Sequence, residues 1–186
     1  MMRAALTLVP VILLALPVSA QNIPEPAPPS SPCGPPHVKF DVKLDRSQHS
    51  LGQPEPGKAL VYVIEVFQRP PGELGTPTIR VGLNGVWVGA NRGTSYLSFS
   101  VDAGENHVCT NWQSIVKQLS SQHSLTSFVA EAGKTYFFRV QTHFETYSPG
   151  VAQPSVVWSI DLQPINPDEA KNFITASPLS ISRPKR

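Results

Sequence analysis

Ile79-Arg80-Val81-Gly82-Leu83-Asn84-Gly85-Val86-Trp87-Val88-Gly89-Ala90 decides the class of fold. Apolar residues recur at every second position on both sides of Asn84-Gly85, the period of a strand with one buried face. Asn-Gly between two such runs is the preferred loop of a type I′ hairpin, because both central residues must take a positive φ. A two-residue turn at Asn84 and Gly85 sets Leu83 opposite Val86, Val81 opposite Val88 and Ile79 opposite Ala90, all six on one side. Trp87 then falls on the other face, opposite Gly82, whose missing side chain leaves room for the indole to lie across the neighbouring strand.

The same period extends in both directions. Val38, Phe40, Val42 and Leu44 alternate with Lys39, Asp41, Lys43 and Asp45. Residues 46–58 carry Pro54, Pro56 and Gly57 and read as a loop. Residues 59–67, Ala-Leu-Val-Tyr-Val-Ile-Glu-Val-Phe, are apolar at almost every position, the pattern of a central strand covered on both faces, and Arg69-Pro70-Pro71-Gly72 ends it. Leu97, Phe99 and Val101 alternate up to the turn at Asp102-Ala103-Gly104. Residues 106–112 follow, with Val108 and Trp112 on one face and His107 and Cys109 on the other. Residues 125–130 form another strand, Glu131-Ala132-Gly133 turns the chain, and Tyr136, Phe138 and Val140 point inward with Arg139 and Gln141 outward. Val156, Trp158, Ile160 and Leu162 make a last strand. Asn166-Pro167-Asp168-Glu169 supplies a cap, a proline at the first helical position and acids in the first turn, so a short helix is expected to about Thr175. Eight or nine strands joined by glycine and proline turns, with no βα alternation, give an all-β antiparallel β-sandwich with a short C-terminal helix.

Several of these segments, from Gly57-Lys58-Ala59-Leu60-Val61-Tyr62-Val63 through Leu83-Asn84-Gly85-Val86-Trp87-Val88-Gly89 and Ser95-Tyr96 to Ala103-Gly104-Glu105-Asn106-His107 and Ala132-Gly133-Lys134-Thr135-Tyr136-Phe137-Phe138, together resemble the bacterial domain of unknown function 2846 and, more loosely, PEGA-type surface modules. The resemblance covers residues 57–142 and rests on turn glycines and core aromatics. It implies an exported sandwich of the prealbumin-like or Ig-like kind, and it carries no catalytic residue. Many relatives in that group are lipid-anchored; this chain has Gln21 where an anchoring cysteine would stand.

The ends set the address. Arg3, an apolar run of about 15 residues from Ala4 to Val18 and the small-residue exit Val18-Ser19-Ala20 read as a signal peptide over 1–20. A spanning helix needs about 20 apolar residues, and Pro10 and Pro17 interrupt this one. Retention as an uncleaved anchor is the competing reading; after cleavage no stable membrane span is expected. The chain is therefore expected to be exported, periplasmic or extracellular. Residues 24–36 hold seven prolines, so 21–36 is expected to be a proline-rich extended linker. Residues 37–176 form the sandwich, and 177–186 are expected to be a disordered basic tail.

The formal charge of +2 comes from the ends: without Arg3, Arg183, Lys185 and Arg186, eleven basic residues face thirteen acidic ones. That body lacks the basic footprint that nucleic acid requires. Cys33 and Cys109 are an even pair in an exported chain and are expected to form a disulfide on the outer face or at an edge of a sheet. Closing that 76-residue loop would stabilise the fold by about 4 kcal/mol in the chain-entropy model.

Candidate chemistry is sparse. His107-x-Cys109 sets an imidazole and a thiol on one strand face, and with His37 or His123 could hold a metal, though no CxxC or HxxxH spacing supports it. A Cys109 nucleophile would need a free thiol with His107 as its base. No G-x-S-x-G is present; Gly93-Thr94-Ser95 fails at Leu97. Glu65 is the only carboxylate in an apolar run. It would either carry a raised pKa or pair with Arg80 or Arg139. The expected function is an exported, non-catalytic envelope module that binds an envelope protein or a cell-surface ligand, with no cofactor. The alternative is a periplasmic metal-binding protein that uses His107 and nearby residues.

Overall fold

The computed structural model describes residues 32–68, 75–147, 150 and 155–185. The expected signal peptide, most of the proline-rich linker and the turn at residues 69–72 lie outside the described residues. Among those described, the order is β1 (Phe40–Asp45), β2 (Lys58–Val66), β3 (Thr78–Leu83), β4 (Val86–Arg92), β5 (Ser95–Asp102), β6 (Gly104–Trp112), α1 (Lys117–Ser120), β7 (His123–Ala130), β8 (Thr135–Tyr147), β9 (Ser155–Pro164), α2 (Pro167–Ala176) and β10 (Leu179–Pro184). They form a β-sandwich of a six-stranded sheet, β1-β10-β5-β2-β8-β9, and a four-stranded sheet, β4-β3-β6-β7.

The sandwich is not wholly antiparallel. β2 pairs β8 in parallel from Leu60↔Thr135 to Val66↔Gln141, and β10 touches β5 in parallel at Leu179↔Tyr96. Parallel neighbours need a crossover. Between β2 and β8 that crossover consists of strands of both sheets, so period-two alternation within each strand says nothing of it.

β2 is covered on both faces, as its run of apolar residues predicts. Ala59, Val61 and Val63 face the small sheet with Ile79, Val81, Val108 and Trp112. Leu60, Tyr62 and Ile64 face the opposite way and pack with Tyr96, Phe137, Ala170 and Ile174. α2 supplies the last two. Asn166 caps it by accepting from the Glu169 N–H at 2.8 Å, with Pro167 in the first turn, and Arg139 on β8 pairs with Glu169 at 2.7 Å.

Two expectations are corrected at the chain's ends. Residues 179–184 are strand β10, not a disordered tail; they pair with β1 from Phe40↔Pro184 to Asp45↔Leu179. The inward residues are Ser180 and Ser182, and Ser182 Oγ accepts from Ala90 N–H on β4 at 3.0 Å. A strand that buries serines against the opposite sheet has no hydrophobic period to read. Likewise, residues 32–36 are not spacer. They lie as a strap on the outer face of the small sheet, with Cys33 fully buried.

The hairpin turn is as expected: Asn84 (φ 50°) and Gly85 (φ 81°) are both left-handed. Asn84 is also tied to β6, since its Oδ1 accepts from His107 N–H at 2.8 Å. The register beyond the turn is corrected. Leu83↔Val86 and Gly82↔Trp87 hold, but a bulge follows, and Val81 faces Gly89, Arg80 faces Ala90 and Ile79 faces Asn91. Val88 is the extra residue.

The space beside Gly82 is filled by the strap and not by the indole. A side-chain carbon there would clash with the Cys33 carbonyl. Trp87 instead lies over Gly34 and donates from Nε1 to the Pro35 carbonyl at 2.8 Å. Arg80 stacks on that indole, 4.4 Å from the ring centroid, and donates to the carbonyls of Pro36 (3.0 Å) and Val38 (2.7 Å). Cys33 and Cys109 are bridged, with Cα atoms 5.2 Å apart. The bridge sits on the outer face of the small sheet, roofed by the strap.

Replacing both cysteines by serine (C33S/C109S) is expected to lower stability by about 4 kcal/mol and to open the segment before Val38 to protease, while the Ala59–Val140 core stays resistant. Thermal melts and limited proteolysis of the two forms check this; superimposable melts and digests would contradict it.

Candidate ligand-binding cleft

His107, the residue singled out for metal chemistry, is exposed on the outer face of the small sheet. Its Nδ1 lies 2.7 Å from Ser127 Oγ, and its Nε2 lies 3.9 Å from Glu105 Oε1. Among the described residues no three His, Cys, Asp or Glu side chains come together as a metal site. His123 pairs with Asn111, four residues along β6 from His107, about 13 Å away at strand rise. The Cys109 sulfur is engaged in the bridge. Hydroxyl, imidazole and carboxylate do line up as Ser127–His107–Glu105. This follows from register, since His107 stands opposite Ser127 and Glu105 is two residues along. Glu105 is 72% exposed, and the backbone N–H of His107 is taken by Asn84 Oδ1. An open, solvated rung of this kind lacks the water-excluded field that activates a serine.

Glu65 overturns its expected pairing. Arg139 faces α2 and binds Glu169, while Arg80 faces the strap. Period-two geometry puts Glu65 with Val61 and Val63 in the layer between the sheets, across β2 from Arg139 and separated from Arg80 by the small sheet, on whose outer face that guanidinium lies. Glu65 is fully buried, and neither carboxylate oxygen has a hydrogen-bond partner. Desolvation pushes its pKa well above the ordinary carboxyl value, because burial penalises the charged form and favours the neutral acid.

Glu65 belongs to a group. Asn91 on β4 donates to the Val63 carbonyl at 3.0 Å, but its Oδ1 has no partner. Thr142 Oγ1 on β8, Gln122 Oε1 and Trp112 Nε1 on β6 are also buried without partners. Of nine such side-chain atoms among the described residues, these six lie towards one end of the sandwich. Ladder register places them there. Asn91, Ile79 and Trp112 form one row across β4, β3 and β6. Glu65 is level with Val140, and Thr142 is one step outward. Buried polar groups are ordinarily satisfied, so a cluster of exceptions calls for an explanation.

At this end the sandwich opens into a cleft of about 220 Å³. Phe67, Pro77, Trp112, Leu119 and Trp158 form apolar walls, and Thr76, Thr78, Gln113 and Ser114 supply polar atoms. Trp112 and Trp158 meet edge to face at 5.9 Å between centroids, and Phe144 backs Trp158 at 5.7 Å. Gln113 is committed to structure, bonding both the N–H and the carbonyl of Phe40. Phe67 follows Glu65 by two residues, about 7 Å along an extended chain. Glu65 itself is fully buried and is not among the described residues that line the cleft. A second hollow of about 200 Å³ between β7 and β8, lined by Phe128, Tyr136 and Ile165, has no unpartnered buried polar atom among its lining residues.

None of this could be drawn from the sequence beyond Glu65 itself. The asparagine, threonine and two tryptophans come from four strands in two sheets, and an alternating pattern does not state which strand ends meet.

Glu65→Gln tests the buried acid. Below the unfolded-state pKa of about 4.5 both states of the wild type are protonated, and the variant should match it. Above that pH the unfolded wild type ionises while the folded one holds its proton. Wild-type stability then falls relative to the variant by up to about 1.4 kcal/mol per pH unit until the raised folded pKa is passed. Melting temperatures from pH 4 to 8 should diverge in favour of E65Q; parallel curves would mean that Glu65 ionises freely.

No family model, curated protein or solved structure matches this chain.

Proposed function

We propose that the chain is an exported, non-catalytic binding module of the cell envelope whose ligand seat is the Trp112–Trp158 cleft. The observation that carries this reading is the make-up of the cleft: apolar aromatic walls, one of them carrying the buried, unpartnered N–H of Trp112, and no titratable side chain among the described residues that line it. Such a lining offers shape, desolvation and hydrogen bonds, with no acid or base among its described residues. Among the described lining residues, no imidazole or carboxylate stands with the hydroxyls of Thr78 and Ser114. Within this proposal the sandwich is of the prealbumin-like or Ig-like kind, as the resemblance to domain of unknown function 2846 implies. The partner is an envelope protein or a cell-surface ligand.

The buried Cys33–Cys109 bridge supports the exported part of the reading, because such bridges persist in oxidising compartments. No helix among the described residues is long and apolar enough to cross a membrane. Sequencing the protein recovered from the periplasm or the medium should give an N-terminus at Gln21; a chain that still starts at Met1 there counts against a cleaved signal.

The seat is tested by filling it. A fluorescent apolar dye should bind the native protein, and Ser114→Trp at the lip should weaken that binding at least tenfold with an unchanged circular dichroism spectrum. Equal dye binding by both forms would place the seat elsewhere.

A further inference from the structure

We propose that the free edge of β7 joins a second copy of this chain. The two β7 strands pair antiparallel about a two-fold axis at Ser127, and the two small sheets run on into one another. The inference is independent of the ligand seat, since none of the residues it uses lines that cleft.

Ladder parity shows which backbone groups are open. On β6, His107 N–H donates to Asn84 Oδ1 and the His107 carbonyl accepts from Asn84 N–H, so both turn to the β3 side. Alternate residues of a central antiparallel strand turn to alternate neighbours. Asn106 and Val108 therefore turn to β7, and their partners Phe128 and Thr126 turn back to β6. Leu125, Ser127 and Val129 are left to present their N–H and carbonyl groups outward, and among the described residues none meets a partner there. The open stretch is bounded at both ends. Gln122 donates to the Trp158 carbonyl, and Glu131 N–H donates to Tyr136 Oη at 3.0 Å. The hollow between β7 and β8 touches three consecutive residues, Thr126, Ser127 and Phe128. Consecutive residues point to opposite faces, so the hollow runs along the backbone of this edge.

The other sheet edges are guarded. β1 carries Asp41, Lys43 and Asp45, and Gln113 holds both the N–H and the carbonyl of Phe40. β4 gives Ala90 N–H to Ser182, and β9 gives Leu162 N–H to Ser124 and the Trp158 carbonyl to Gln122. β7 reads His-Ser-Leu-Thr-Ser-Phe-Val-Ala. It has no proline, lysine or acid, the residues that keep an edge strand from pairing. Its outward side chains Leu125 and Val129 are 47% and 68% exposed. One open edge per molecule closes as a pair and builds no fibre.

The strand is complementary to itself, which selects a second copy as the occupant. Its outward backbone groups meet only when Leu125, Ser127 and Val129 face one another across the seam. With Ser127 opposite its own copy, Leu125 faces Val129 and the imidazole of His123 faces the carboxylate of Glu131, each in both directions. A slip of two residues sets Leu125 against Ser127 one way and against Glu131 the other. Only the central register gives both an apolar pair and a pair of opposite charge type.

Sedimentation equilibrium of the full-length mature protein, from micromolar to millimolar concentration, should show a reversible monomer–dimer equilibrium with no larger species. Ser127→Cys puts a thiol on the axis, where hydrogen-bonded antiparallel partners stand about 5.5 Å apart between Cα atoms, within disulfide reach. Oxidation should link that variant at least tenfold faster than His123→Cys, whose two copies would lie about 27 Å apart along the ladder. Leu125→Lys/Val129→Lys sets ammonium against ammonium on both outer rungs and should weaken association about tenfold, while Leu125→Glu/Val129→Lys sets carboxylate against ammonium and should restore it. Circular dichroism checks that the variants fold, and the cross-linking comparison stands without the double variants. A wild type that stays monomeric throughout overturns the inference and leaves the edge to a strand of another protein. Equal cross-linking rates, or equal association of the two folded double variants, overturn it as well.

Discussion

Strand β2 has no exposed face, and the rest of the molecule is arranged to satisfy that condition. Seven of its nine residues are buried. Ala59, Val61 and Val63 require a second sheet, while Leu60, Tyr62 and Ile64 require a further cover that the sandwich alone does not supply. α2 provides it through Ala170 and Ile174, and the loop after β1 helps: Tyr62 Oη accepts from Gly52 N–H at 2.6 Å, and Tyr96 donates to Gln48 at 3.0 Å. Burying a large side chain contributes about 1.5–3 kcal/mol, so doubly covered apolar positions outweigh the local cost of one acid on the same strand. Glu65 is where that surplus is drawn on. A carboxyl with no partner persists there because the surrounding strand is over-determined by packing.

The seams of the sandwich are closed by side chains rather than by ladder hydrogen bonds. Ser182 bonds Ala90 on one side, and Gln113 brackets Phe40. On the other side Ser124 Oγ accepts from Leu162 N–H, and Gln122 donates to the Trp158 carbonyl. These contacts occupy backbone groups that open strand edges would otherwise present to other chains. The strap adds a polar device of its own. Arg80 is a buried cation whose two terminal nitrogens donate to the carbonyls of Pro36 and Val38 and to Asn111, with an indole against its face and its Nε left without a partner. Burial pulls its pKa down from the ordinary value, yet guanidinium remains charged throughout the physiological range.

How much of this was legible in the sequence depended on whether a feature was local. The Asn84-Gly85 turn, the doubly buried run at 59–67 and the Asn166 cap each follow from a few consecutive residues, and each is present. The Cys33–Cys109 pairing followed from the even count and the expected compartment. The bulge at Val88 was hidden, because an uninterrupted alternation looks the same whether or not one residue is extra. β10 was hidden because its inward positions are serines: Ser182 fits the close approach of Gly89 and Ser180 donates to Ser95 Oγ. The parallel β2–β8 pair and the grouping of unpartnered polar atoms towards one end of the sandwich were hidden for a common reason: both are statements about which strands become neighbours, and period two is silent on neighbours.

The strap also decides how the molecule carries a load. Its two ends are close, since Lys185 N–H bonds the Lys39 carbonyl and Lys185 Nζ meets Asp41. Tension between those points would otherwise peel β1 from β10 one rung at a time, the weakest mode in which a ladder can fail. The covalent link at Cys33 changes the route. A pull arriving from upstream enters β6 through Cys109, in the middle of the small sheet, and never reaches β1, while a pull at the C-terminus enters β10 of the large sheet. The two forces then act on different layers. The sandwich must resist as a whole, by sliding sheet over sheet against its packed core, and the thin edge that joins its ends is left unloaded.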